Sequence, residues 1–268
     1  MRKIGSVNGG WQLLVLPITL FLLVTNAYAN DDDILDMILP AILAAAKKVP
    51  ASSTALVGSW LFDGANKTVI TFVDETNYFV TQDIDDIGEP LCSDGMESGT
   101  YTWDSVSGDF NLINVIDTTG DCGLTSMPGE PFSATVTVNG STLTLTDSEG
   151  SFQLTKVIDA NNSIVGSWYF REPGGGETLV TFLDGTNYFV AQDVDDIDEP
   201  LCSDGMESGT YTWDSASGNF SYTNIIDTTG DCGMTSKQGE TGDATVTVSG
   251  STLIFTDSEG PVSLTSVQ

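Results

Sequence analysis

The run Ala134-Thr135-Val136-Thr137-Val138-Asn139-Gly140-Ser141-Thr142-Leu143-Thr144-Leu145-Thr146 puts an apolar side chain at every second position on both sides of an Asn-Gly pair. An extended chain points successive side chains to opposite faces, so the valines and leucines share a dry face and the threonines can meet water. Asn139-Gly140 suits a type I′ turn, which joins antiparallel strands tightly. One hairpin of a one-sided sheet is therefore written in thirteen residues.

Working outward, short β-prone runs recur at intervals too short for helices: 57–62, 68–73, 77–83, 99–103, 109–116, 133–138, 142–146 and 152–157. Ser107-Gly108 and Glu149-Gly150, with Ser217-Gly218 and Glu259-Gly260 further on, supply turn glycines, and Asp184-Gly185 suits a second type I′ turn. Eight antiparallel strands connected in order can close into an up-and-down barrel that leaves no exposed edge. A two-sheet sandwich satisfies the same periodicity.

The pattern occurs twice. Residues 89–105 recur unchanged at 199–215, and from Phe72 and Phe182 onward the copies are offset by 110 positions. Gly58-Ser59-Trp60 and Gly166-Ser167-Trp168 are offset by 108, so two residues are inserted between, in the Pro173-Gly174-Gly175-Gly176 loop. The expected organisation is an all-β chain of two tandem eight-stranded antiparallel meander barrels, 52–159 and 160–268. A signal peptide over 1–29 and a short helix with linker over 30–51 precede them.

Arg2 and Lys3, the apolar run from Trp11 to Val24 and Ala27-Tyr28-Ala29 have the form of a secretory signal ending in a small-x-small site. No transmembrane segment is expected in the mature chain, which is placed outside the cell or in the periplasm or envelope. The acids at 31–33 and lysines at 47–48 complement a helix dipole. The apolar residues between 34 and 46 cover most of that helix's circumference, which makes packing or self-association one use for it and an interfacial anchor another.

Composition removes several function classes. The 268 residues carry 38 Asp plus Glu against 8 Lys plus Arg, and no His, for a net charge of −30. Without histidine there is no Ser-His-Asp or Cys-His machinery and no His-ligated zinc, and a chain this acidic does not attract nucleic acid. Neither a phosphate-binding glycine loop nor a G-x-S-x-G elbow occurs.

Gly58-x-Trp60 and Gly166-x-Trp168, followed by Val69-Ile70-Thr71-Phe72 and Leu179-Val180-Thr181-Phe182, then Gly99-Thr100-Tyr101 and Gly209-Thr210-Tyr211, resemble bacterial lipocalin-like (calycin-type) barrels. That resemblance implies a Trp packed across the closed end of each barrel, often beneath an Arg from the last strand. Trp60 and Trp168 take the first role, and the last strands offer Lys156 and Ser266 for the second. It also implies an interior able to hold a small apolar ligand.

Cys92 and Cys122 are 30 apart, as are Cys202 and Cys232, and one even pair per repeat in an exported chain reads as two intradomain disulfides. Each would tie the loop after the third strand to the loop after the fifth, at one end of the barrel. That end gathers Asp83, Asp85, Asp86, Asp117 and Asp121 in the first copy, and Asp193, Asp195, Asp196, Asp227 and Asp231 in the second. Carboxylates so close repel unless protonated, solvated or bridged by a cation. Ca²⁺ fits such oxygen-rich loops, and a solvated acidic rim is the other reading.

The functional expectation is a secreted noncatalytic protein, structural, adhesive or binding, with calcium or a cationic surface partner at its acidic loops. A small apolar-ligand carrier is the alternative, and a carboxylate hydrolase a more remote one, needing two carboxyls about 5–10 Å apart across a cleft. Aromatics separate the first two: Tyr78, Phe79, Tyr101, Trp103 and Phe110, with Tyr188, Phe189, Tyr211, Trp213 and Phe220, could fill both interiors and exclude a ligand.

Overall fold

A computed structural model describes residues 53–64, 66–84, 92–160, 163–172, 175–194 and 202–268. The expected signal peptide and N-terminal helix, and Asp85, Asp86, Asp195 and Asp196, lie outside the described residues.

Both repeats close into eight-stranded antiparallel barrels with strands in sequence order. The first comprises β1 (Gly58–Asp63), β2 (Lys67–Phe72), β3 (Asn77–Asp83), β4 (Gly95–Trp103), β5 (Asp109–Asp117), β6 (Pro131–Asn139), β7 (Thr142–Thr146) and β8 (Ser151–Lys156). The second repeats the order as β9 (Gly166–Arg171), β10 (Glu177–Phe182), β11 (Asn187–Asp193), β12 (Gly205–Trp213), β13 (Asn219–Asp227), β14 (Thr241–Ser249), β15 (Thr252–Thr256) and β16 (Pro261–Val267). Closure by β8 on β1, through Trp60 opposite Lys156, and by β16 on β9 excludes the sandwich. The inserted residues lengthen the β9–β10 connection relative to β1–β2.

Two turns differ from expectation. Asn139 pairs with Thr142, so the turn residues are Gly140 and Ser141, and no described non-glycine residue has positive φ. Gly140 alone enters the left-handed region, at +61°, which fits a II′-type turn rather than I′. Asp184-Gly185 forms no I′ turn either. Asp184 Oδ1 instead accepts the N–H groups of Thr186 and Asn187, an Asx arrangement that makes no demand on Gly185, and Glu75 occupies the equivalent position in the first copy.

Each barrel has its own apolar cluster inside. Trp60, Ile70, Phe72, Tyr78, Tyr101, Phe110, Leu112 and Leu143 form the first core, with Phe72, Tyr101 and Phe110 in ring contact. Trp60 and Trp168 are buried at the closed ends, each indole N–H donating to a carbonyl four residues earlier, on Leu56 and Ile164. The Lys156 ammonium lies 5.4 Å from the Trp60 ring centroid and donates to Val57 O, a cation–π contact on the outer side of the indole. In the second barrel Ser266 pairs with Trp168 instead.

The barrels pack on each other through β1, β3 and β4 against β9, β11 and β12. A third core forms there from Val57, Val69, Phe79 and Met96 of the first repeat and Leu179, Phe189, Ala191, Met206 and Val267 of the second. The polar contacts are reciprocal: Ser98 Oγ donates to Asp193 Oδ2 and Ser208 Oγ to Asp83 Oδ2, both at 3.5 Å, while Ser59 and Ser167 hydrogen-bond each other at the centre. Equivalent residues on both sides define an approximate two-fold. Phe79 and Phe189 are thus interface residues, not fillers of the barrel interiors.

Candidate functional site

The disulfides Cys92–Cys122 and Cys202–Cys232 are formed, each with Cα atoms 5.2 Å apart. Cys92 also bridges to Gly120 and Cys202 to Gly230, so the loops after the third and fifth strands meet at the open end, as the spacing implied. The acidic residues there do different jobs. Asp117 Oδ1 accepts from the backbone N–H and hydroxyl of Thr119, both at 2.9 Å, and Asp227 treats Thr229 alike. Asp83 and Asp193 face the opposite barrel, whereas Asp121 and Asp231 are exposed. Among the described residues no three acidic or cysteine side chains are grouped so as to hold a metal ion.

The carboxyl at the centre of this end is one that sequence reasoning passed over. β4 starts at Gly95, four residues before the expected strand, and carries Glu97 into the barrel with no exposed surface. Opposite it, Val115 is an extra residue on β5: Gly99 pairs with Asn114 and Ser98 with Ile116. This bulge turns Ile116 outward, toward the other barrel, and Asp117 inward, directly opposite Glu97. Glu97 Oε1 accepts from the N–H groups of Leu124 (2.9 Å) and Thr125 (3.2 Å), fastening the disulfide loop to the barrel. Gly123 fits the space beside it: at φ +96° its missing Cβ would fall 1.9 Å from that oxygen.

Burial pushes the Glu97 carboxyl up to about 8, against the lowering effect of those N–H donors, and Asp117 adds to the rise. Glu207, held by Met234 and Thr235, is raised to about 7 for the same leading reason. Thr119 Oγ1 also donates to Glu97 Oε1, at 3.3 Å, while Glu97 Oε2 and the buried Asn114 Oδ1 have no hydrogen-bond partner. A proton on Glu97 turns one of these acceptors into a donor.

Above this polar layer the first barrel opens into a cleft of about 670 Å³. Phe62, Ile70, Leu124, Phe132, Leu145, Phe152 and Leu154 form its walls, and Gln82 and Thr125 lie among them. The equivalent space in the second barrel is about 260 Å³. Three exchanges account for the difference. Tyr222 stands at the position of Leu112, and Gly242, opposite it, at that of Phe132. The Tyr222 ring crosses the space a Gly242 Cβ would need, with Cζ 2.2 Å away. Phe255 replaces Leu145 and closes an aromatic cluster with Phe220 and Tyr222. A wide and a narrower cleft therefore coexist in one chain.

No family model and no curated protein matches the chain. Among solved structures it aligns with a putative DNA polymerase III beta subunit from Eubacterium rectale ATCC 33656, at 10% identity over 85% of this chain and a TM-score of 0.13. It also aligns with DNA polymerase III subunit beta from Pseudomonas aeruginosa, at 8% identity over 81% and a TM-score of 0.12. The chain spans about three-fifths of those two proteins, 60% and 58%. Likeness of that degree assigns neither a fold nor a function.

Proposed function

We propose that the chain is an exported noncatalytic binding protein whose first barrel carries a small apolar or amphipathic ligand in its open mouth. The cleft carries this reading: about 670 Å³, walled by aliphatic and aromatic side chains with a few polar groups, falls in the range of ordinary ligand sites. The lipocalin-like resemblance points the same way. Two disulfides fit an oxidising compartment, and no helix among the described residues is long and apolar enough to cross a membrane. Glu97 and Asp117, the pair a hydrolase would recruit, are absent from the cleft lining.

The test is Leu145→Phe, which places in the first barrel the ring that Phe255 already contributes to the second. Titration with an uncharged apolar fluorophore such as N-phenyl-1-naphthylamine is expected to give one dominant site, weakened at least tenfold by the substitution with the melting temperature little changed. Unchanged affinity in a folded variant overturns the cleft as the site.

A rigid structural or adhesive role is the second reading, favoured by the fused pair of barrels. If its acidic loops take Ca²⁺, millimolar Ca²⁺ raises the melting temperature by several degrees beyond equal Mg²⁺. Equal small rises for both ions leave only screening.

A further inference from the structure

We infer that the ligand of the first barrel is a cationic amphiphile, an apolar chain carrying an amine or quaternary ammonium group that stays at the mouth. This rests on the cleft reading above and adds the chemistry of the head group. The cleft is lined at its rim by Asp121, Glu130, Asp147 and Glu149 and by no basic residue. Gln82 lies in the same lining, 7% exposed, with its buried Oε1 lacking any donor, and Asn66 Oδ1, also in the lining, is in the same state. Buried carbonyl oxygens without donors favour a guest that brings N–H groups or positive charge. A carboxylate or sulfate head would meet four like charges at the opening of a cleft whose low-dielectric walls concentrate the field.

Lys67 lies next to that rim, between the lining residues Asn66 and Thr68, but is outside the lining and in register with Asp63 and Asp83. Arg171 is paired with Glu177 at 3.3 Å in the second barrel, and Lys156 is engaged by Trp60 and Val57 at the closed end. The second barrel's smaller cleft repeats the arrangement, with Glu172, Asp257 and Glu259 in its lining and an unpartnered Gln192 Oε1. The apolar depth and the acidic opening thus select for the two halves of one amphiphile.

The experiment titrates the oxidised full-length mature protein with three ten-carbon probes below their micellar concentrations: decyltrimethylammonium, decanol and decanoate. In 0.05 M salt the ammonium is expected to bind at least tenfold more tightly than decanol, with decanoate weakest, and the gap to shrink in 0.5 M salt. Glu130→Gln with Glu149→Gln should bring the ammonium down to the decanol value. A side-chain amide at position 130 keeps a carbonyl oxygen to accept from Ser126 N–H, as the Glu130 carboxylate does, so the fold is kept. Asp104→Asn with Asp109→Asn, equal in charge but at the other end of the barrel, should leave the preference intact. Decanol binding as tightly as the ammonium, or a preference abolished equally by both charge pairs, overturns the cationic ligand while leaving the cleft. If none of the three binds, the cleft reading itself falls.

Discussion

Glu97→Gln with Glu207→Gln is expected to make the protein more stable at pH 8, by several kcal/mol, while changing little at pH 4.5. The parent carboxyls are raised from 4.5 to about 8 and about 7 by burial. Between those values and 4.5 the folded chain holds two protons that the unfolded chain releases. Stability contributed by the neutral carboxyls is fully present below pH 4.5 and is lost as pH rises through the folded values, at about 1.4 kcal/mol per pH unit for each site. Glutamine keeps the carbonyl that accepts from Leu124 and Thr125 and puts an N–H where the proton was. Its curve should therefore stay flat where the parent's falls. Urea unfolding at half-unit steps from pH 4.5 to 9 measures this, and a parent that grows more stable over that range contradicts it.

Other carboxyls set the acid side. Burial pushes Asp74 and Asp184 up, but donors from Asn77 and Thr76, and from Asn187 and Thr186, outweigh it and hold both below the ordinary 3.8. Their contribution is present above pH 3.8 and is lost as pH falls through their lowered values. With a net charge of −30 adding self-repulsion as pH rises, maximum stability is expected near pH 4–5. The Leu124 and Thr125 N–H groups favour the ionised form of Glu97, so the loop stays fastened as the carboxyl loses its proton and the cost lies in burying the charge.

Much of this molecule can be read in the chain, and what is missed has specific physical causes. Alternation in 134–146 gave the one-sided sheet, and the cysteine spacing gave the bridge between two loops at one end. Glu97 was hidden because Asp94-Gly95-Met96-Glu97-Ser98 has the composition of a turn, and a carboxyl buried without a cation defies the usual placement of charge. The bulge at Val115, which brings Asp117 inside, leaves no mark in a two-residue period. The pairing of the barrels did leave one. Val69-Ile70-Thr71-Phe72 and Tyr78-Phe79-Val80-Thr81 are continuous runs rather than alternating ones, and all eight residues are buried because both faces of β2 and β3 are covered. β5, in contrast, alternates along most of its length and has one wet face.

Those double-faced strands lead to the largest expected effect, obtained with Phe79→Asp and Phe189→Asp together. Phe79 is 1% exposed and Phe189 2%, both in the core between the barrels and neither inside one. Each barrel closes on its own hydrogen bonds and has its own interior cluster and disulfide. Parent unfolding should therefore be one cooperative calorimetric transition, because exposing either barrel also exposes the core they share. Phe79→Ala or Phe189→Ala alone is expected to cost about 3–5 kcal/mol, and the double alanine variant less than the sum, since both would open the same cavity. Two aspartates go further, putting unpaired charges beside the Asp83 and Asp193 carboxylates at the seam. The single endotherm should split in two, and the radius of gyration should rise while the β-sheet circular dichroism and both disulfides persist. One sharp transition with the parent's radius would mean that the barrels are held by something other than this apolar contact, and loss of β-sheet signal would mean that neither barrel stands without its neighbour.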